Sequence, residues 1–352
     1  MEHEKASSTT SGHYQLPYNF GLGGVPLGNE FTAVTDTEAQ QTLEAAWNAG
    51  VRYYDVSPWY GLGLAERRFG QFLHNQNREA YVISSKVGKL LKASKNATKS
   101  NLFPLAASPN MVEFDYSAAA VRRSIEDSLQ RLGIDSLDIV FVHDLSPDNR
   151  YLNGKWLEHF EIAKQGAFPE LTRMREEGLI RAWGLGVNTP EPIMAAMEVA
   201  DPDIFLLASQ YSLIDHEYAL KNIFPEVRKR NITLVVGSSL NAGFISGSNR
   251  YNYAHEMPAE FIAKRNRLTA IATIHHVDLR TAALQFSAMP DVVAALLCGA
   301  RTAQQITEDV SSLKVKIPAD FWAELKAEKL ISEEAPVTFA TQIQSDKVSR
   351  PS

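Results

Sequence analysis

Eight short apolar stretches alternate with amphipathic helical patterns along this chain. That alternation predicts an α/β fold, a single-domain (β/α)8 TIM barrel with long loops on its C-terminal face. Three observations carry the prediction. The apolar stretches are continuous, as strands buried on both faces require. Composition does not shift between the halves of the chain. And no Gly-x-Gly-x-x-Gly opens the first helix: Gly21-Leu-Gly-Gly24 lacks the spacing of a doubly wound dinucleotide fold.

The elements follow in order. Residues 1–15 read as a disordered leader, polar and without the apolar core of a secretory signal, and the barrel domain spans 16–335. The first strand lies within 18–25 and runs into glycines. Thr35-Asp36 opens a helix with Ala39, Leu43, Ala46 and Trp47 on one face, closed by Gly50. A strand over 51–56 breaks at Pro58, and the next helix carries Ala65, Phe69 and Phe72. The strand over 80–86 ends in Lys86 and is followed by a long loop over 87–113, a length typical of functional lids. Ser117 caps a helix that Gly133 ends, the strand over 137–143 ends in His143, and a second long loop over 144–165 precedes a helix ending at Gly178. Strands over 179–187, 204–209, 232–236 and 292–297 then alternate with helices over 189–199, 216–230 and 258–289, the last broken near Val277-Asp278. Helices over 302–313 and 318–330 close the domain, and 336–352 is a flexible tail.

Composition bounds the function. With 352 residues, 45% of them hydrophobic, the chain can bury a large core. A net charge of −6 argues against a nucleic-acid footprint and a polybasic membrane surface. No apolar run is long enough to span a bilayer. The single cysteine, Cys298, excludes an intrachain disulfide and suits a reducing, cytoplasmic compartment. A monomer or weak homo-oligomer acting on a small molecule is the expectation.

In a barrel the strand ends converge on one face, which holds the active site. Here those ends carry Asp55, Lys86, His143, Asn188, Gln210, Ser238 and Gly299, and Tyr60 follows Asp55 within the same turn. Taken singly, Asp55 reads as well as a cap, Lys86 as an exposed terminus, and His143 as a loop residue or metal ligand. Together they form a proton-transfer constellation in which an ammonium pulls the Tyr60 pKa toward neutrality. A metal site is not expected: only Asp55 and His143 offer ligands at the rim, and His275-His276 falls inside a helix.

Tyr54-Asp-Val-Ser-Pro-Trp-Tyr60-Gly, Ser84-Ser-Lys86-Val-Gly88, Asp138-Ile-Val-Phe-Val-His143, Gly184-Leu-Gly-Val-Asn188, Ser209-Gln210-Tyr211 and Gly299-Ala-Arg301 through Asp309 resemble, in order, the motifs of the aldo-keto reductase superfamily. Phe114-Asp-Tyr-Ser117 and His143-Asp144 are similar to its D-threo-aldose 1-dehydrogenase and pyridoxal 4-dehydrogenase branch. The resemblance implies hydride transfer to or from NAD or NADP, with Tyr60 as general acid/base, Lys86 and Asp55 as its supporting pair, and His143 orienting the substrate oxygen. It implies that Asn188 and Gln210 hold the carboxamide, that Ser238 and Leu240 lie near the pyrophosphate, and that Gly24, Val25 and Asp55 approach the ribose. Gly299, Ala300, Arg301, Gln305, Glu308 and Asp309 fall at the adenosine end. Trp59, Phe20 and Phe244 are expected to wall the substrate site, beside His143. Two departures bear on the cofactor. Val187 and Gly237 stand where many members carry Ser and a stacking aromatic. Gly299 and Gln305 stand where NADPH-preferring members carry cations, so Arg301 remains the one cation beside two carboxylates. Use of NAD, or of both cofactors, is therefore expected. An NADPH-dependent carbonyl reductase is an alternative, as is a cofactor-sensing subunit, though a pure binding module has no need of all four groups.

Overall fold

A computed structural model describes residues 13–95, 103–106, 108–253 and 256–338. The sequence expectations for 1–12 and 339–352 lie outside the described residues.

Eight parallel strands close into a barrel: β1 (Phe20–Gly23), β2 (Tyr53–Asp55), β3 (Val82–Val87), β6 (Ile139–His143), β7 (Ala182–Val187), β8 (Ile204–Ala208), β9 (Thr233–Gly237) and β10 (Val293–Gly299), with β10 hydrogen-bonded back to β1. Most of their residues are buried on both faces, which is why they read as unbroken apolar runs. The outer faces pack against the surrounding helices, for example Trp183 of β7 stacked on Phe168 with ring centroids 5.4 Å apart. The inner faces fill the barrel in layers: Tyr53, Phe141, Leu206, Val235 and Leu297 meet inside, and Leu16 closes the lower end. Tyr14 packs against that same cluster, two residues before the domain boundary read from sequence.

Local chemistry starts the helices where the sequence marks them. Thr35 and Glu38 form a reciprocal capping box at α1 (Asp36–Asn48). Ser117 caps α3 (Ala118–Leu132), and Gly133 ends it with φ of 64°. Between them, α2 (Leu64–Leu73) follows β2. Asp278 caps α9 (Leu279–Ala288) and so splits it from α8 (Ala259–Ile274), as the break near Val277-Asp278 predicts. The remaining helices are α5 (Ala167–Glu176), α6 (Glu191–Val199), α7 (Phe224–Lys229), α10 (Ala303–Ser312) and α11 (Ala319–Ala327).

Two stretches read as loops are not. Within 87–113, β4 (Lys89–Ala93) and β5 (Asn110–Phe114) pair as an antiparallel hairpin outside the barrel ladder. Each strand is only five residues long, and the connection is too long to show a tight-turn signal. Within 144–165, α4 (Trp156–Gln165) forms without a side-chain cap, so it lacks the usual start signal.

Candidate active site

The C-terminal mouth opens into a cavity of about 1020 Å³, lined by residues from all eight barrel-strand ends and the loops beyond them. At its floor Asp55, Tyr60, Lys86 and His143 come together, as the strand-end pattern predicts.

Parallel register brings the first two into contact. Asp55 of β2 stands opposite Ser84 of β3, and Lys86 lies two residues further along. Lys86 Nζ donates to Asp55 Oδ2 at 2.6 Å and to the Val56 carbonyl at 3.0 Å. Ser84 Oγ donates to Asp55 Oδ1 at 2.7 Å. Since that hydroxyl's proton is used on the carboxylate, the Tyr53 hydroxyl 3.1 Å away is the donor to Ser84. Burial alone pushes Asp55 up and Lys86 down, each toward its neutral form; each partner's charge opposes that drift. The pair is stable as ions because it is closed on itself and on two hydroxyls.

Tyr60 lies beside this pair, with Lys86 Nζ 4.7 Å from its ring centroid. The expected pull toward neutrality is not what the geometry gives. Burial holds the phenol well above its usual value, and the Asp55, Tyr253, Asp144 and Glu30 charges push the same way. The Lys86 charge is spent on Asp55, so it does not reverse the burial cost. His143 meets the Tyr60 ring edge-on at 5.7 Å. Burial, then Lys89 and Lys86, hold its imidazole well below the usual value, so it is neutral. Its Nδ1 is 3.1 Å from Ser57 Oγ, which also accepts the Trp59 N–H, and its Nε2 is 3.5 Å from Asp144 Oδ2. With Ser57 donating to Nδ1, the ring proton is assigned to Nε2, on the carboxylate side. Neutral His143 then presents its Nε2–H on the side of the cavity that Asp144 lines.

Trp59 walls the cavity, braced edge-on by Phe103 at 5.4 Å and Tyr151 at 5.5 Å. Phe20 and Phe244 do not wall it. Phe20 is buried in the layer between barrel and helices. Phe244 is fully buried against Tyr251, with the Arg265 guanidinium over its ring, so it is not the missing nicotinamide stack. Gly24 and Ala300 also sit behind the cavity surface, whereas Gly23 and Val25 line it. Gly24 lies too close to Asp55 for a side chain: an added Cβ would stand 3.0 Å from the Asp55 carbonyl oxygen.

Asn188, Gln210, Ser238 and Leu240 line the cavity where β7, β8 and β9 end. Gln210 Nε2 donates to the Asn188 backbone carbonyl at 2.7 Å, which fixes the Gln210 side chain at the rim, while Asn188 Nδ2 donates to Asp148 Oδ2 at 3.3 Å. Three buried hydroxyls nearby, on Thr189, Ser209 and Ser239, have no partner among the described residues. Unsatisfied buried hydroxyls beside a polar cleft fit a bound group rich in oxygens, as a dinucleotide is. Beyond them lie Gly299, Arg301, Gln305, Glu308 and Asp309. Sequence reasoning missed two cations here. Arg280 of α9 pairs with Asp309 and lies 3.7 Å from Glu308. Arg250 lies over the Phe31 ring at 4.1 Å, close enough to Arg301 that the two charges repel. Arg301 is therefore not alone, and the two carboxylates are not free. Arg280 carries no strand-end signal because it sits in the first turn of helix α9.

An eight-stranded barrel whose C-terminal mouth gathers a tyrosine, a neutral histidine and a buried Lys–Asp pair is built as an enzyme that moves protons at a carbon–oxygen centre. The chain belongs to the aldo/keto reductase family, whose profile matches residues 19–329. It is 37% identical to the pyridoxal 4-dehydrogenase of Microbacterium luteolum, over 89% of this chain and 94% of that one. It is 34% identical to a D-threo-aldose 1-dehydrogenase of a Pseudomonas species, over 88% and 94%. A holo-form aldo-keto reductase from Bacillus halodurans shares the fold, with a TM-score of 0.67 and 20% identity over 95% of this chain and 99% of that one. The protein is an oxidoreductase acting on alcohol or carbonyl groups of a small molecule, in a family that uses nicotinamide cofactors. Among the described residues no helix is long and apolar enough to cross a membrane, and no cluster of metal-ligating side chains is present.

Proposed function

We propose that the chain oxidises an aldose at its hemiacetal carbon to the lactone, with NAD or NADP as hydride acceptor and Tyr60 as the proton acceptor. The observation that carries this reading is the convergence of Tyr60 and neutral His143 over the closed Lys86–Asp55 pair at the cavity floor. The nicotinamide, when bound, supplies the hydride acceptor. The chain's own residues do the rest. Asn188 and Gln210 hold the carboxamide, Ser238, Ser239 and Leu240 face the pyrophosphate, and Arg301 and Gln305 face the adenosine end. His143 donates its Nε2–H to the reacting oxygen and orients it. Tyr60 takes the hydroxyl proton as the carbon gives up hydride; in carbonyl reduction it returns that proton. Because the free phenol titrates high, oxidation gains rate as pH rises into the alkaline range, and reduction loses it.

Three arginines against two paired carboxylates at the adenosine end leave a positive balance, which supports use of both NAD and NADP. The one buried cysteine suits a reducing, cytoplasmic setting. A second reading, oxidation of pyridoxal, is favoured by the aromatic wall of Trp59 and Tyr151, backed by Phe114, and by the relative of that name. Absorbance at 340 nm with NAD or NADP and L-fucose, L-galactose, D-arabinose or pyridoxal separates the two. Sugar-dependent cofactor reduction is expected. Turnover confined to pyridoxal would replace the aldose reading, and cofactor binding without turnover of any substrate would favour the sensing subunit.

A further inference from the structure

Buried Lys89 and partly buried Asp144 form a second Lys–Asp pair at the cavity, and the mechanism above does not use it. Two unusual backbone positions put it there. Gly88 has φ of +97°, and a Cβ at that residue would collide with the Tyr116 ring. Only glycine fits, and the turn it makes sends Lys89, the first residue of β4, into the cavity wall. Asp144 follows His143 directly and has φ of 46°, unusual for a non-glycine residue. Its N–H donates to the Gly186 carbonyl at 2.9 Å, and its own carbonyl accepts from Asn149 Nδ2 at 2.8 Å. The conformation is thus held from both sides, with the carboxylate lining the cavity.

The pair is left incomplete on the cavity side. Lys89 Nζ donates to Asp144 Oδ2 and lies 4.2 Å over the Trp59 ring, which leaves it N–H capacity with no acceptor among the described residues. Asp144 Oδ1 has no hydrogen-bond partner among the described residues. A free donor and a free acceptor side by side are the complement of a hydroxyl, which both accepts and donates. Their place relative to the reaction fixes which hydroxyl. Asp144 Oδ2 is 3.5 Å from His143 Nε2, the atom assigned to the reacting oxygen. An oxygen on the next carbon of the substrate falls beside the pair.

We propose that Lys89 and Asp144 form the subsite that reads a hydroxyl on the carbon adjacent to the reacting one, so that the enzyme selects α-hydroxy substrates. This rests on the functional reading above and sharpens it. An aldose carries such a hydroxyl at C2. In pyridoxal the carbon next to the aldehyde is a ring carbon without one.

The test is the ratio of kcat/KM for D-arabinose to that for 2-deoxy-D-ribose, which differ only in the C2 hydroxyl. It is measured on wild type, Asp144→Asn, Lys89→Met and the double variant Lys89→Met/Asp144→Leu, which leaves no lone buried charge. A ratio cancels any change in the folded fraction. In wild type it should be at least about tenfold, since a site built to hydrogen-bond a hydroxyl leaves groups unpaired when the hydroxyl is missing. In all three variants it should fall to within about twofold of unity, with most of the change in the KM for D-arabinose. A wild-type ratio near unity, or variants that keep the wild-type ratio, would overturn the proposal while leaving the oxidoreductase intact. A wild type that oxidises neither sugar fails the aldose reading, and the subsite falls with it.

Discussion

The two mouths of the barrel hold the same kind of interaction, a buried aspartate paired with a cation, and use it in opposite ways. At the N-terminal mouth, Asp138 and Asp203 stand just before β6 and β8. Asp138 Oδ2 accepts the Ile83 N–H of β3 at 2.8 Å and Arg78 at 2.7 Å, and Arg181 lies 3.3 Å from its other oxygen. Asp203 accepts the Trp183 N–H of β7 at 3.1 Å and Arg175 at 2.7 Å. Each carboxylate ties its own strand to the neighbouring one, and each faces arginine. At the C-terminal mouth Lys86 holds the buried Asp55 and Lys89 holds the partly buried Asp144, both pairs lining the cavity, while Arg280 holds the buried Asp309 at its far end. Arginine is always charged and forked, and it locks a carboxylate in place. Lysine holds it through a point charge and keeps N–H groups to spare. The difference separates the arginine-held carboxylates that tie strand to strand from the lysine-held ones that line the cavity.

Three measurements would break or sharpen that contrast. The largest effect is expected at the lower mouth. Asp138→Ala leaves Arg78 partly buried without its carboxylate and strips the Ile83 N–H of its acceptor, so stability should fall by about 3–5 kcal/mol in urea denaturation. The folded fraction should keep its wild-type kcat/KM; a variant of normal stability and impaired turnover would blur the two mouths. At the upper mouth, Tyr60→Phe should lower kcat by on the order of a hundredfold or more while the thermal midpoint holds. Near-full turnover would remove Tyr60 from its role. The smallest effect concerns Glu30, a cavity carboxylate with no arginine partner, which burial raises from 4.5 to about 7 against the opposing Lys89 charge. Between those values the folded chain binds more protons than the unfolded one, so this residue makes stability fall as pH rises through the window. Glu30→Gln should flatten that slope. An unchanged slope would mean that the carboxylate stays solvated.

Asp55, Tyr60, Lys86 and His143 are legible because each ends an apolar strand or lies in the turn after one, and a barrel turns that sequence position into a shared place in space. The same rule found Asn188, Gln210 and Ser238. It could not find Lys89, which belongs to a hairpin outside the ladder, or Arg280, which sits inside a helix. Phe244 misled because its place after the seventh barrel strand says nothing of which way its ring points; here the ring turns into the core. The Tyr60 pKa was misjudged for a related reason. Sequence gives the pairing of Lys86 with Asp55 but not the depth of burial, which is what raises the phenol while Lys86 is held 2.6 Å from Asp55.

Lys89 reaches the cavity from β4, which pairs only with β5 and takes no part in closing the barrel. One wall of the cavity is thus carried by an element that adds no rung to the barrel, while its floor is carried by the barrel strands themselves. Neither strand of the hairpin contributes a rung to the barrel ladder. A lineage carrying this architecture has a cheap route to new substrates: it can rewrite the hairpin and inherit the catalytic floor unchanged.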